Sequence, residues 1–355
     1  MDVWIGTTTG GGESKGIYHL TLDEATGELS DARLVGNIKQ PGFLALHPTL
    51  PILYSTGGVG VAKWRMEGSD LGIFSPINDQ RAVAQEGSPA HLAVDRSGRV
   101  LLTAHYGSGS VCAIPLDSSG SFGDTTQVIK HPAGSGVVPD RQKGPHPHWI
   151  GTSPDNRFVF VPDLGCDKVF IYELDAERAE LTAHGSVDTP PGGGPRHMKF
   201  SPDGRHAYVV NELTMSLTVM TYDAEAGAFE VIQTIPTISE QQKAGQSFNS
   251  GSEVRVHPSG RFVYSANRGH DSITAFAVDA ATGQLSLVEQ EPIRGAWPRN
   301  FSLSPSGKWL LAAGRDSNTL AVFAIDQSTG ELRYDRQIAS VPSPICVTVG
   351  RTAGD

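Results

Sequence analysis

The chain has 355 residues, long enough for a large core, and is rich in glycine (41) and proline (23), which suits many short strands and turns. Its 28 basic against 38 acidic residues give a formal charge of -10 with no Lys/Arg cluster, which argues against a nucleic-acid partner. Cys112, Cys166 and Cys346 are too few and too scattered for a disulfide framework or a zinc site. No apolar run is long enough to span a bilayer and no leader precedes the first strand, so a cytoplasmic protein is expected.

From the N-terminus, segments 3–7, 16–22 and 28–35 are predicted strands that lack an inner strand of their own. A β-hairpin unit follows and recurs to the end of the chain. Its turn reads His47-Pro48-Thr49-Leu50, then Asp95-Arg96-Ser97-Gly98, Ser153-Pro154-Asp155-Asn156, Ser201-Pro202-Asp203-Gly204, His257-Pro258-Ser259-Gly260 and Ser304-Pro305-Ser306-Gly307. The first residues of these turns are spaced by 48, 58, 48, 56 and 47 residues, the period of a β-propeller blade. A seventh copy of the strand before the turn, Pro344-Ile345-Cys346-Val347-Thr348-Val349-Gly350, has no hairpin partner after it. It is expected to pair with the N-terminal strands. The expected fold class is therefore all-β, a seven-bladed β-propeller closed by pairing of the N- and C-terminal strands, one domain over 1–355. An Asp-x-x-Thr-Gly-x-Leu run starting at Asp23, Asp279 and Asp326 marks turns in the outer strand pairs.

The two longest intervals carry their extra length in 131–145 and 237–250, each between an outer strand and the next inner strand. Such insertions lie on the rim opposite the Pro-Asp-Gly turns, which nominates that rim as the working face. Two positions per hairpin point towards it. Five residues before the turn stand Gly42, Ala90, His148, Arg196, Ser252, Arg299 and Ile345; eleven residues after it stand Gly58, Tyr106, Leu164, Glu212, Arg268 and Arg315. Because the strands converge on the propeller axis, His148, Arg196 with Glu212, and Arg268 are expected to meet in one funnel. The plainer alternative is a structural Arg196–Glu212 ion pair. His146 and His148 point to opposite faces of an extended segment and lack an acidic or Cys partner nearby, so no metal is expected. His91, His105 and His197 read as hydrogen-bonding supports inside the blades. No phosphate loop, nucleophile elbow or reactive-cysteine context occurs, and no cofactor is expected.

Gly194-Pro195-Arg196-His197-Met198, Val210-Asn211-Glu212-Leu213, Pro145-His146-Pro147-His148 and Arg299-Asn300-Phe301 with Ala312-Ala313-Gly314 resemble the seven-bladed propeller lactonase family over essentially the whole chain. That family includes propeller-type 6-phosphogluconolactonases and the fungal carboxymuconate lactonising enzyme. The resemblance implies a metal-independent channel site of His148, Arg196, Glu212 and a second arginine, Arg268, with Arg255 and Arg299 as alternatives. Val254-Arg255-Val256-His257 departs from the family pattern, and Glu253 stands where relatives carry an acid. Arg299, Tyr106, Asn211, Glu253, His91 and Arg315 are the further substrate-binding candidates.

Lactone hydrolysis needs an activated water and stabilisation of the carbonyl oxygen as it becomes anionic. His148, with an unperturbed pKa near 6.5, is expected to move protons. Glu212, its pKa lowered by two arginines, would orient the water or the histidine. Arg196 and Arg268 would bind an anionic group and the oxyanion. The expected function is hydrolysis of a sugar lactone, 6-phosphogluconolactone included, or a related acid lactone, by a monomer or weak dimer. A cycloisomerase acting on a muconate-type dicarboxylate is the enzymatic alternative. A non-catalytic binding propeller is the other, and it would need an apolar rim.

Overall fold

The computed structural model describes all residues except 11, 59, 67–73, 77–80, 83–85, 124–126 and 351–355. The described residues form seven antiparallel sheets, each starting from one short strand at the axis. These inner strands are Leu44–Leu46, His91–Val94, Gly151–Thr152, Pro195–Phe200, Ser250–Val256, Pro298–Leu303 and Pro344–Val349. The first six turn directly into their second strand. Pro344–Val349 instead pairs antiparallel with Asp2–Thr7, setting Val3 opposite Val349 and Ile5 opposite Val347. The chain ends thus close the ring, and the propeller is seven-bladed as its repeats predict. In the closing blade the last strand is Arg33–Asn37, later than predicted, because residues 23–27 form the Asp-x-x-Thr-Gly turn and Leu22 meets Leu29 only in an isolated bridge.

Every second strand is buried on both faces because a neighbouring blade covers each. In His206–Asn211, Ala207 and Val209 pack with Phe158 and Phe160 of the preceding blade. The alternate residues Tyr208 and Val210 pack with Val254, Val263 and Phe276 of the next. The outermost strands, such as Glu180–Asp188, are mostly exposed.

Five of the six hairpin turns use one residue in the left-handed region; the His47 copy does not. Gly204 supplies it with φ 72°, and in the Ser153 copy Asn156 does so at φ 65°. Asn156 also ties two blades, because its side chain accepts from Arg96 N and donates to Asp95 Oδ2, both at 2.9 Å. At the outer turns a tyrosine of one blade donates to a turn glycine carbonyl of the next: Tyr54 to Gly120 at 2.6 Å, Tyr264 to Gly330 at 2.9 Å and Tyr208 to Gly283 at 3.4 Å.

The inner strands carry the feature that builds the site. Pro195 faces Asn211 and His197 faces Val210, so Arg196 is an extra residue with no partner of its own. Arg299 and Ile345 are left over in the same way, and Ser252 with Glu253 bulge together. A β-bulge re-aims its extra side chain. Here it lets the positions five and four residues before each turn both serve the axis.

Candidate active site

Around the axis a cavity of about 170 Å³ opens on the rim opposite the hairpin turns. Gly42, Ala90, His148, Arg196, Arg299 and Ile345 line it, six of the seven residues predicted five positions before the turns. The seventh, Ser252, turns aside and donates to Pro298 O at 2.5 Å and Ala266 O at 3.3 Å. Phe43, His197 and Asn300, one residue further along their strands, also line the cavity. A larger groove of about 320 Å³ lies at the turn end beside His47, Gly98 and Glu177. Its Arg99–Glu177 pair is solvent-exposed.

The predicted Arg196–Glu212 neighbours are in contact, with Arg196 Nε 2.9 Å from Glu212 Oε2. Arg268 Nη2 lies 2.9 Å from the same oxygen. A third arginine, Arg141 from the 131–145 insertion, donates from Nη2 to Glu212 Oε1 at 2.6 Å. Burial alone would raise the Glu212 pKa. Arg268 and Arg196, then His148, outweigh it and hold the carboxyl far below the ordinary carboxylate range.

Arg268 joins the cluster without lining the cavity. Its Nη2 also donates to Gly251 O at 2.7 Å, and its guanidinium lies 5.8 Å from the Trp297 ring centre. The cavity wall instead receives Arg299, whose guanidinium makes no ion pair or hydrogen bond among the described residues. Burial, then the charge of Arg268, lowers its pKa to about 10. Two of the four principal candidates, His148 and Arg196, therefore face the cavity, and Arg299 takes the place expected of Arg268.

His148 is buried, and Nδ1 has no hydrogen-bond partner. Tyr106 and His197 meet its ring edge-on at 5.4 and 5.3 Å. Its pKa is not near 6.5. Burial first, then Arg196 and His197, push it well below that value, so the ring is neutral at pH 7. Arg196 is also buried, and burial followed by Arg299 and Arg268 lowers its pKa. Glu212 opposes the shift, and the guanidinium keeps its proton.

Below Arg196 lies a fully hydrogen-bonded floor. Arg196 Nη1 donates to Ser252 O and to His197 Nε2, the latter at 3.1 Å. His197 must then donate from Nδ1 to Glu253 Oε2, 3.1 Å away. Asn300 donates to that same oxygen and accepts from Val347 N at 2.9 Å. Glu253 is wholly buried here and reaches the cavity only through His197 and Asn300.

The remaining substrate-binding candidates divide. Tyr106 stacks on His146 at 4.4 Å, and its hydroxyl accepts weakly from Arg141 at 3.4 Å. His91 packs on Phe43 and Trp149 and accepts from Ile150 N at 3.3 Å, a support beneath the cavity. Asn211 faces into its blade, donating to Ser216 Oγ at 3.0 Å and Thr218 Oγ1 at 2.9 Å. Arg315 lies over Trp297 at 4.8 Å and pairs with Asp316 at 2.6 Å, outside the cavity lining. His146 donates from Nδ1 to Tyr106 O at 2.7 Å. No group of three potential metal ligands occurs among the described residues.

Arg141 and Trp297 escape the repeat-based reading. Arg141 sits in an insertion that only the 237–250 segment matches in position, and that segment carries no arginine. Trp297 occupies the left-handed region at φ 63°, a costly conformation for a bulky residue, and its backbone N–H donates to Asp271 Oδ1 at 2.8 Å. Phe248 of the 237–250 insertion stacks on it at 5.4 Å, so both insertions reach the site from the same rim.

Fold and site together define a propeller whose axial cavity joins a neutral imidazole to a surplus of arginine. The family described as Lactonase, 7-bladed beta-propeller, matches residues 2–349. The 6-phosphogluconolactonase of Bacillus subtilis is 36% identical over 348 residues, 97% of each chain. That of Formosa agariphila is 30% identical over 85% of this chain and 86% of its own. The solved periplasmic gluconolactonase of Pseudomonas aeruginosa is 32% identical and superposes with a TM-score of 0.87 over 98% of both chains. The chain belongs to the seven-bladed β-propeller lactonase family, and the chemistry its site must account for is hydrolysis of a cyclic ester.

Proposed function

We propose that this lactonase hydrolyses a sugar lactone bearing a phosphate group, with the ester carbonyl seated between His148 and Arg299. The observation that carries this reading is the Arg299 guanidinium, set in the cavity wall, in no ion pair among the described residues and beside a neutral imidazole. An unpaired cation there attracts a carbonyl oxygen as negative charge develops on it. His148 takes a proton from the water that attacks the acyl carbon. The tetrahedral oxyanion rests against Arg299 and Arg196, the bond from acyl carbon to ring oxygen breaks, and His148 returns the proton to the departing alkoxide. The product is the open hydroxy acid. Glu212 holds Arg196 and Arg268 in place and has no part in proton transfer, since its pKa is far too low.

The phosphate preference rests on charge. Arg141, Arg196 and Arg268 share one carboxylate, Glu212, Arg299 adds a fourth cation in the cavity wall, and the relative named 6-phosphogluconolactonase from Bacillus subtilis spans nearly the same length. The three buried, unpaired thiols suit a reducing compartment and support a cytoplasmic reading. Proton release from 6-phosphogluconolactone, gluconolactone and a muconate-type dicarboxylate, corrected for spontaneous hydrolysis, tests the reading. The lactones are expected to turn over and the muconate to stay unchanged. His148→Ala is expected to lower kcat by about 10²–10⁴-fold and Arg299→Ala by about 10²–10³-fold. Wild-type rates in both variants would overturn the assignment.

A further inference from the structure

Resting on the lactonase reading above, we propose that Arg141 is the specificity-determining residue of this site: it exchanges Glu212 for the distal anion of the substrate. Three arginines hold Glu212, but only Arg141 is within reach of solvent, its side chain 33% exposed against 2% for Arg196 and 5% for Arg268. Arg196 and Arg268 share Oε2, whereas Arg141 alone holds Oε1. When Arg141 leaves, Glu212 therefore keeps two buried cations and stays ionised. Arg141 bonds through Nη2 alone, and Nε and Nη1 make no hydrogen bond among the described residues. Both edges with which a guanidinium grips a phosphate or carboxylate in a fork, Nε with Nη2 and Nη1 with Nη2, include Nη2, so release of Glu212 frees a complete fork.

The insertion that carries Arg141 is firmly anchored. Its neighbour Gln142 is fully buried and donates to Leu164 O at 2.8 Å and Asp167 Oδ1 at 2.6 Å, while its side-chain oxygen accepts from Val138 N at 2.9 Å. Asp167 Oδ2 accepts from Ser135 Oγ at 2.9 Å, and His131 meets Asp163 at 2.6 Å. At Gly165 the fit is so close that a Cβ would lie 1.9 Å from Gly144 O. The base of Arg141 is thus held still, and only its head must move. An anion beside Glu212, which links Arg141 to the cavity-lining Arg196, would meet a cation whose base is already ordered.

Arg141→Ala and Arg141→Lys, assayed beside wild type, test this on 6-phosphogluconolactone, on neutral gluconolactone and on a lactone bearing a carboxylate instead of phosphate. For the phosphorylated substrate Arg141→Ala is expected to raise KM about tenfold to hundredfold, the loss of one charge-assisted contact, with kcat little changed. Arg141→Lys should restore part of the loss, and gluconolactone should be turned over as by wild type. The carboxylate substrate shows whether the residue reads phosphate alone or any anion. An equal fall in kcat for all three would overturn the proposal, since Arg141 would then only be setting Glu212; so would unchanged kinetics. Calorimetric titration with 6-phosphogluconate and gluconate repeats the comparison without turnover. If wild type opens no lactone, the function reading falls, whereas Arg141→Ala binding 6-phosphogluconate as well as wild type overturns the role of Arg141.

Discussion

His148 shows how burial decides what a side chain can do. In water its ring would titrate near neutrality; surrounded by Tyr106, His197 and Arg196 it resists protonation to well below pH 6.5. A base acts only when neutral, so lowering its pKa moves the acid limb of the rate profile downwards. The expected outcome is a kcat/KM for neutral gluconolactone that is flat from pH 8 through pH 6.5 and falls only at more acidic pH. A limb centred at 6.5 or above would mean that another group carries the proton. Glu212 cannot supply such a limb, because Arg268 and Arg196 keep it ionised far into acid. Spacing placed Arg268 and Arg299 equally on the rim. Arg268 pairs with Glu212 as expected, and side-chain reach leaves the cavity wall to Arg299.

The unit that builds the site is the inner strand with its bulge. A regular strand would turn alternate residues to the axis; the extra residue at Arg196 lets it and His197 both serve the channel, one as wall and one as floor. The outer strand pairs hold the blades in register through the tyrosine-to-glycine bonds. Tyr264→Phe removes the bond to Gly330 O and is expected to lower stability by about 1 kcal/mol, read from the urea midpoint at unchanged slope. No shift in that midpoint would show the contact to be dispensable. The repeated Asp-x-x-Thr-Gly motif was legible as a turn. That its glycine carbonyl latches a neighbouring blade was not, because the acceptor is a backbone atom carrying no sequence identity.

At the scale of the whole molecule, the ring is held shut by Pro344–Val349 pairing with Asp2–Thr7. Val3, Ile5 and Val347 pack there with Leu311 and Val322 of the preceding blade, so closure is both a hydrogen-bonded seam and part of the core. Deleting residues 344–349 would leave the Asp2–Thr7 edge open and that cluster half uncovered. The truncated chain is expected to aggregate or to lose its cooperative thermal transition. A truncated chain that melts like the full one would show that the other six blades hold the ring without the seam.

The spacing of the hairpin turns was enough to determine the number of blades, the closure by the chain ends, the rim on which the axial cavity opens and the meeting of Arg196 with Glu212. Each of these follows from local turn chemistry and a hydrophobic period, and both are written along the chain. The contact between Arg141 and Glu212, the turning of Asn211 into its blade and the unpaired state of Arg299 were decided only by the folded molecule. They depend on which buried charges compete for one carboxylate and on where an insertion outside the repeated unit comes to rest. Neither is a property of any segment taken by itself.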